Sequence, residues 1–300
     1  MAKKKEDTKA KSKPKKSATP AAVKATNVTD KKVTKSASSV AKKPQDTKQV
    51  LQRWNLVGGI VLALQAVAIA LLGKGDSVPV VMHYPAVDTL ASEAAGSQVI
   101  GAASRTLFDM PIAYLLAAGL LAMAIVHLLA ATQLRLRFES MLDRGVNVAR
   151  WIAYGVGGVL LLDAVYLLSG INDVVALKML GSVLFGACLV ALSVELLGPG
   201  RPGLSRLLKV MTVVGVVLPW LVIAGVLVAS MMYDGTVPSY MYGVYASGFI
   251  LFVAIVLATS FRWQQRGRWA NQLYSEKMFL LLGLATATVL SWQIFAGALL

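Results

Sequence analysis

Four ionisable side chains lie within or at the edge of apolar stretches, where charge is costly and its presence points to chemistry. Asp163 sits inside Leu160-Leu-Leu-Asp-Ala-Val-Tyr166, His127 inside a leucine- and alanine-rich run, Lys178 about one turn inside another, and Lys277 at the head of the last. An intramembrane carboxylate can hold or relay a proton, and the plainer reading of Asp163 is a protonated or hydrogen-bonded acid near an interface. A lysine buried in mid-helix can form a Schiff base once burial depresses its amine pKa. One near a helix end snorkels to headgroups, and both Lys178 and Lys277 fit that description. His127 suits a hydrogen bond within a bundle better than proton transfer. The last apolar run, residues 278–300, has no charged residue, and its middle, Gly283-Leu-Ala-Thr-Ala-Thr-Val-Leu-Ser-Trp-Gln-Ile-Phe295, has no lysine. There is no HExxH, no Walker glycine loop, no Cys/His ligand spacing and no pair of intramembrane carboxylates to read from the sequence, so neither a metal site nor an enzyme is expected. The single cysteine, Cys188, rules out an intramolecular disulfide.

The elements that must position these residues are membrane spans. The chain is 56% hydrophobic with a mean hydropathy of +0.64, too apolar for an ordinary soluble domain. Seven apolar segments, at about 54–72, 110–132, 151–168, 174–197, 208–231, 240–260 and 278–299, each approach the roughly 20 residues a spanning helix needs. The formal charge of +15 is uneven: residues 1–50 hold 15 of the 30 Lys+Arg and 4 of the 15 Asp+Glu. Residues 1–49 are rich in Lys, Ala, Ser, Thr and Pro, too poor in large apolar groups to offset ordering entropy, and are expected to form a disordered tail. Its lysines suit a solvated cytoplasmic segment, anionic lipid headgroups or nucleic acid. The start lacks a signal-peptide pattern, so the first span is expected to be its own insertion signal. Arg135, Arg137, Arg144 and Arg150, then Arg201 and Arg206, then Arg262, Arg266 and Arg268 all fall on the side of the basic tail. The positive-inside rule therefore predicts a cytoplasmic N-terminus and an extracellular C-terminus. On the opposite side, residues 74–109 form the longest connection, where residues 77–84 and 98–100 are compatible with a short external hairpin.

Several motifs give this pattern a family likeness. Arg150-Trp-Ile-Ala-Tyr154, Gly170-Ile-Asn-Asp-Val-Val-Ala176, Val237-Pro-Ser-Tyr-Met-Tyr-Gly243, Gly267-Arg-Trp-Ala-Asn271 and Ser291-Trp-Gln-Ile-Phe295 occur in the order found in heliorhodopsins, the rhodopsin family with inverted membrane orientation, and residues 52–300 resemble that family. The resemblance implies a retinal pocket, and the departures fall there. Aligned on Trp292, the retinal-linking lysine corresponds to Ala287. Aligned on Arg150-Trp151, the counterion glutamate corresponds to Ala153. The pocket serine corresponds to Gly283 and a first-helix histidine to Leu62, whereas His127 matches the second pocket histidine. Losing lysine and glutamate together is coherent, since a buried carboxylate without its cation would cost several kcal/mol or take up a proton. Asp163 lies ten residues beyond Ala153, about 15 Å along the helix and rotated by roughly 80°, so it cannot simply replace that glutamate. Trp220, Trp292 and Tyr154 suit the lining of the space where retinal would lie, and Gly155, Gly157 and Gly158 suit close helix approach that fills part of it.

The sequence thus predicts an all-α membrane protein: a disordered tail over 1–49, then a seven-helix rhodopsin-like bundle over 50–300. By resemblance it is a homodimer in the lipid bilayer. The expected function is a non-catalytic sensor or interaction scaffold without covalent retinal, acting through an unidentified protein partner, a lipid or a non-covalent ligand. The alternative is a photoreceptor that holds retinal non-covalently or through Lys178.

Overall fold

The computed structural model describes residues 44–74, 77–233 and 235–300; most of the basic tail, with its expected disorder, lies outside them. Among the described residues, seven helices are long and apolar enough to cross a membrane: Lys48–Leu72, Ile112–Ala131, Val148–Leu168, Val174–Leu197, Pro202–Met232, Ser239–Trp263 and Gln272–Leu299. Every apolar segment read from the sequence lies within or largely overlaps one of them. Five begin one to six residues earlier than hydropathy alone suggests, because polar residues continue each helix beyond its apolar run. Asn147 caps the third span by accepting from the Arg150 N–H at 3.0 Å, Asp173 the fourth from Ala176 at 2.9 Å, and Asn271 the seventh from Tyr274 at 3.1 Å. Each side-chain oxygen satisfies an amide that the helix start leaves without a carbonyl.

The third span is the most enclosed and the fifth and sixth the least. Leu62, Ile69, Leu116, Leu120, Leu162, Tyr166, Leu290 and Ile294 form its fully buried surroundings, drawn from spans one, two, three and seven. Two of the three glycines read as packing residues hold the third span close to its neighbours. A Cβ on Gly157 would lie 2.2 Å from Met123 Cγ and 2.9 Å from the Gly119 carbonyl, and one on Gly155 would lie 2.9 Å from Phe185. Gly158 differs: no atom lies within 4 Å of its Cβ position, because it faces a cavity. Between Ala153 and Gly157 the helix widens to a π turn, a bulge that often accompanies functional sites.

The external connection is longer in structure than its sequence signal. β1 (Ser77–Val87) pairs antiparallel with β2 (Ile100–Pro111), with a bulge between Val80 and Val81 and a short helix, Thr89–Ala95, at the tip. The second strand therefore takes Met110 from the expected start of the second span. Its small residues Gly101-Ala-Ala-Ser104 hide the period-two pattern, and Pro111 ends the ladder where the helix begins. The hairpin is stitched to the turn between spans three and four. Val81 N–H donates to the Asn172 carbonyl at 3.0 Å, Asn172 Nδ2 to the Pro79 carbonyl at 3.0 Å, and His83 Nδ1 lies 2.9 Å from Asp173 Oδ2. The His83 side chain, as the largest cause, and the Ala176 N–H hold the Asp173 carboxyl below the usual carboxylate range.

Candidate ligand cavity and a buried charge cluster

A slot of about 70 Å³ lies among spans two to seven. Gly158, Leu161, Cys188, Val216, Phe252 and Ala287 are among its walls, and it is almost wholly apolar. Among its lining residues there is no Lys, Arg, His, Asp or Glu. Its hydroxyls already donate to backbone carbonyls: Thr212 to Leu208 at 3.0 Å, Thr259 to Ile255 at 2.8 Å, Thr286 to Leu282 at 2.7 Å and Tyr154 to Phe279 at 2.6 Å. By contrast, the buried Trp263 indole N–H has no partner among the described residues.

Tyr154 is the partition between this slot and a second, polar cavity. The second space, of about 20 Å³, is lined by Asn55, His127, Asn147, Arg150, Glu276 and other residues as well as Tyr154. A Cβ on Gly283 would lie 2.7 Å from Tyr154 Cε1, so the missing side chain at that position is what lets the tyrosine ring lie against the seventh span. His127 Nδ1 lies 2.9 Å from Asn55 Oδ1, while Asn55 Nδ2 donates to the Leu51 carbonyl at 3.0 Å. With the amide so oriented, the Nδ1 proton of His127 is the donor.

Beside this cavity the bundle buries a charge cluster. Arg150 Nη1 donates to both carboxylate oxygens of Glu276 at 2.7 Å, and its Nη2 donates to Glu195. Asn147 completes it, its side chain donating to Glu276 at 2.6 Å and its backbone N–H to Glu195 at 2.9 Å. The guanidinium is sandwiched 4.7 Å from the Trp151 ring centroid and 4.1 Å from that of Phe279, the stacked, forked geometry that a lysine could not reproduce. The sequence placed Arg150 in a basic connection and found no paired intramembrane carboxylates. The structure corrects both points, since Arg150 is 4% exposed and holds two such carboxylates. Glu195 stands two residues inside the end of the fourth apolar run and Glu276 two residues before the seventh, and neither was singled out as a candidate. An acid at the end of such a helix was the available signal, because its burial requires a partner.

The other sequence candidates separate. Ala287, Gly283 and Tyr154 line the slot, and His127 lines the polar cavity instead. Ala153 and Leu62 are each 1% exposed within the packed core and line neither space. Trp220 lies behind the slot wall, its ring 5.1 Å from Phe252, and Trp292 donates to Gln65 at 3.0 Å. Asp163 is buried against the fourth span near Gly181, with Oδ1 unpartnered among the described residues. Lys178 lines a separate surface concavity with Val174, Met179 and Ser182. Lys277 sits over the Trp54 ring, with Nζ 4.5 Å from its centroid. Neither lysine is among the slot's lining residues.

No curated relative matches the chain. The family model described as heliorhodopsin matches residues 51–299, nearly the whole of the described bundle. The chain is therefore a rhodopsin-like, multi-pass membrane protein and belongs to the heliorhodopsin family.

Proposed function

We propose that this heliorhodopsin-family protein has given up covalent retinal and works as a non-catalytic membrane sensor or interaction scaffold with a ligand held non-covalently. The observation that carries the proposal is the slot wall, which contains neither an amine to form the imine nor a carboxylate to balance it. Ala287 and Gly283 stand in that wall where the family resemblance puts the lysine and the serine. Lys178 and Lys277 lie elsewhere, on a surface concavity and over Trp54. The positive-inside rule supports a cytoplasmic N-terminus. Sensing would couple slot occupancy to the charge cluster through Tyr154, which touches both spaces and whose hydroxyl binds the seventh-span backbone.

Incubating the purified protein with all-trans retinal and recording its visible spectrum tests the reading. No red-shifted band beyond free retinal is expected. A band that converts on acid denaturation to a protonated-imine absorbance would sink the proposal.

A further inference from the structure

On the basic side of the bundle lies a second feature that the reading above does not use. Arg144, Arg206, Lys209 and Arg262 surround an open concavity of about 580 Å³ between the connection before span three and the ends of spans four, five and six. These four cations make no salt bridge among the described residues. The one acid in the wall, Glu195, is already bound by Arg150 and the Asn147 N–H. Four positive charges converging from separate segments, with no carboxylate free to answer them, make an anion site in a surface that the positive-inside bias alone would leave scattered.

The concavity is stacked on the slot. Trp263 lines both. On span five Thr212 lines the slot and Lys209 the concavity, and on span six Thr259 lines the slot and Arg262 the concavity. The members of each pair are three positions apart, about 5 Å along a helix axis. Lys209 Nζ lies 5.9 Å from the Trp263 ring centroid, so the cation, the indole with its unpartnered N–H and the apolar wall follow one another in order.

We infer that the two spaces form one site for an anionic amphiphile, its hydrocarbon chain in the slot and its carboxylate or phosphate head among Arg206, Lys209 and Arg262, with Trp263 at the junction. The inference rests on the reading that the slot is free of covalent retinal, and it adds the class of ligand. A neutral polyene would use the slot and leave the four cations unanswered. A soluble anion would use the cations and leave the slot unfilled.

The test uses the full chain in detergent and cis-parinaric acid, whose fluorescence rises in apolar surroundings, beside its methyl ester. Saturable binding of the acid is expected, with the ester weaker by at least about tenfold. Arg206→Gln with Lys209→Gln, on the rim and outside the packed core, is expected to weaken the acid by about tenfold or more and leave the ester unchanged. Val216→Trp, which fills the slot, is expected to abolish both, and Val256→Phe, at another wall position of the slot, repeats that test if the first variant does not fold. Equal affinities for acid and ester, or an unaltered acid affinity in the rim variant, would overturn the anionic head. No saturable binding of either would overturn the site. Displacement of the acid by phosphatidylglycerol but not phosphatidylcholine would identify a bilayer phospholipid as the source, and displacement by neither a free fatty acid. A borohydride-stable retinal adduct would instead defeat the reading on which the inference rests, and that outcome is read by mass, independently of parinaric acid.

Discussion

Arg150→Met is the substitution that most directly interrogates how the bundle is held together. In the parent, one guanidinium answers two carboxylates, so Arg150, Glu195 and Glu276 with both acids ionised carry one excess negative charge inside the protein. Removing the cation leaves Glu195 and Glu276 facing each other, and three charge-assisted hydrogen bonds are lost. Breaking a buried pair in this way costs about 3–5 kcal/mol. At about 2–4 °C per kcal/mol for a chain of this size, the midpoint should fall by roughly 6–20 °C. The sign is tested by adding Glu195→Gln and Glu276→Gln to the same chain. The amide oxygens can still accept from Asn147, whose two donors now serve those acids, while the unanswered charges are gone. The triple variant should recover at least about half of the loss, since uncharged replacements of a buried ion cluster are often close to neutral. Thermal melts followed by intrinsic fluorescence in one detergent give the comparison. A triple variant no more stable than Arg150→Met would refute the electrostatic account and leave Arg150 acting through its stacking on Trp151 and Phe279 alone.

Other consequences are equally open to measurement. Gly157→Ala places a methyl 2.2 Å from Met123 Cγ and 2.9 Å from a backbone carbonyl, and should cost about 1–3 kcal/mol in the melt; an unchanged midpoint would show that the two spans separate freely. Gly283→Ser brings a Cβ to 2.7 Å of Tyr154 Cε1 and should displace the tyrosine from the Phe279 carbonyl, joining slot and polar cavity, which a structure of the variant would reveal. The hairpin tether depends on pH through Asp173, whose folded carboxyl lies below its unfolded range. Its contribution is therefore present above the unfolded carboxylate value of about 4 and is lost as pH falls through the folded value. Hydrogen exchange at the Val81 amide, measured against intrinsic exchange, should quicken under acid and in Asp173→Asn at neutral pH. Identical protection in all three conditions would count against the tether.

Much of the architecture was legible because hydropathy and charge asymmetry are local signals. Seven apolar runs, three clusters of arginine on one side and the turn around Gly170 sufficed to draw the spans and to suggest the family. The charge cluster was not legible in the same way. Glu195 and Glu276 stand 45 and 126 residues from Arg150, and nothing in the sequence says which helix ends meet. The hairpin was half legible: its first strand carries valines and aromatics, while the second is built from small and charged residues that only pairing makes into a strand. Pocket membership was harder still. Tyr154, Gly283 and Ala287 gather around one slot, but His127, placed beside them by resemblance, belongs to the polar side of Tyr154 together with Asn55, which no motif singled out. Leu62 and Ala153, aligned with pocket residues by resemblance, are packed into the core at 1% exposure each, a role that volume and neighbours decide.

The proposed loss of covalent retinal requires that no lysine of this protein form an imine with it. Intact-mass measurement of the full chain after incubation with all-trans retinal and borohydride reduction tests it most directly, with Ala287→Lys carried alongside to show that an amine in the slot can be trapped. The account predicts an unmodified mass for the parent and a single retinyl addition for the variant. A single, stoichiometric retinyl addition to the parent, mapped to any one lysine, would contradict it.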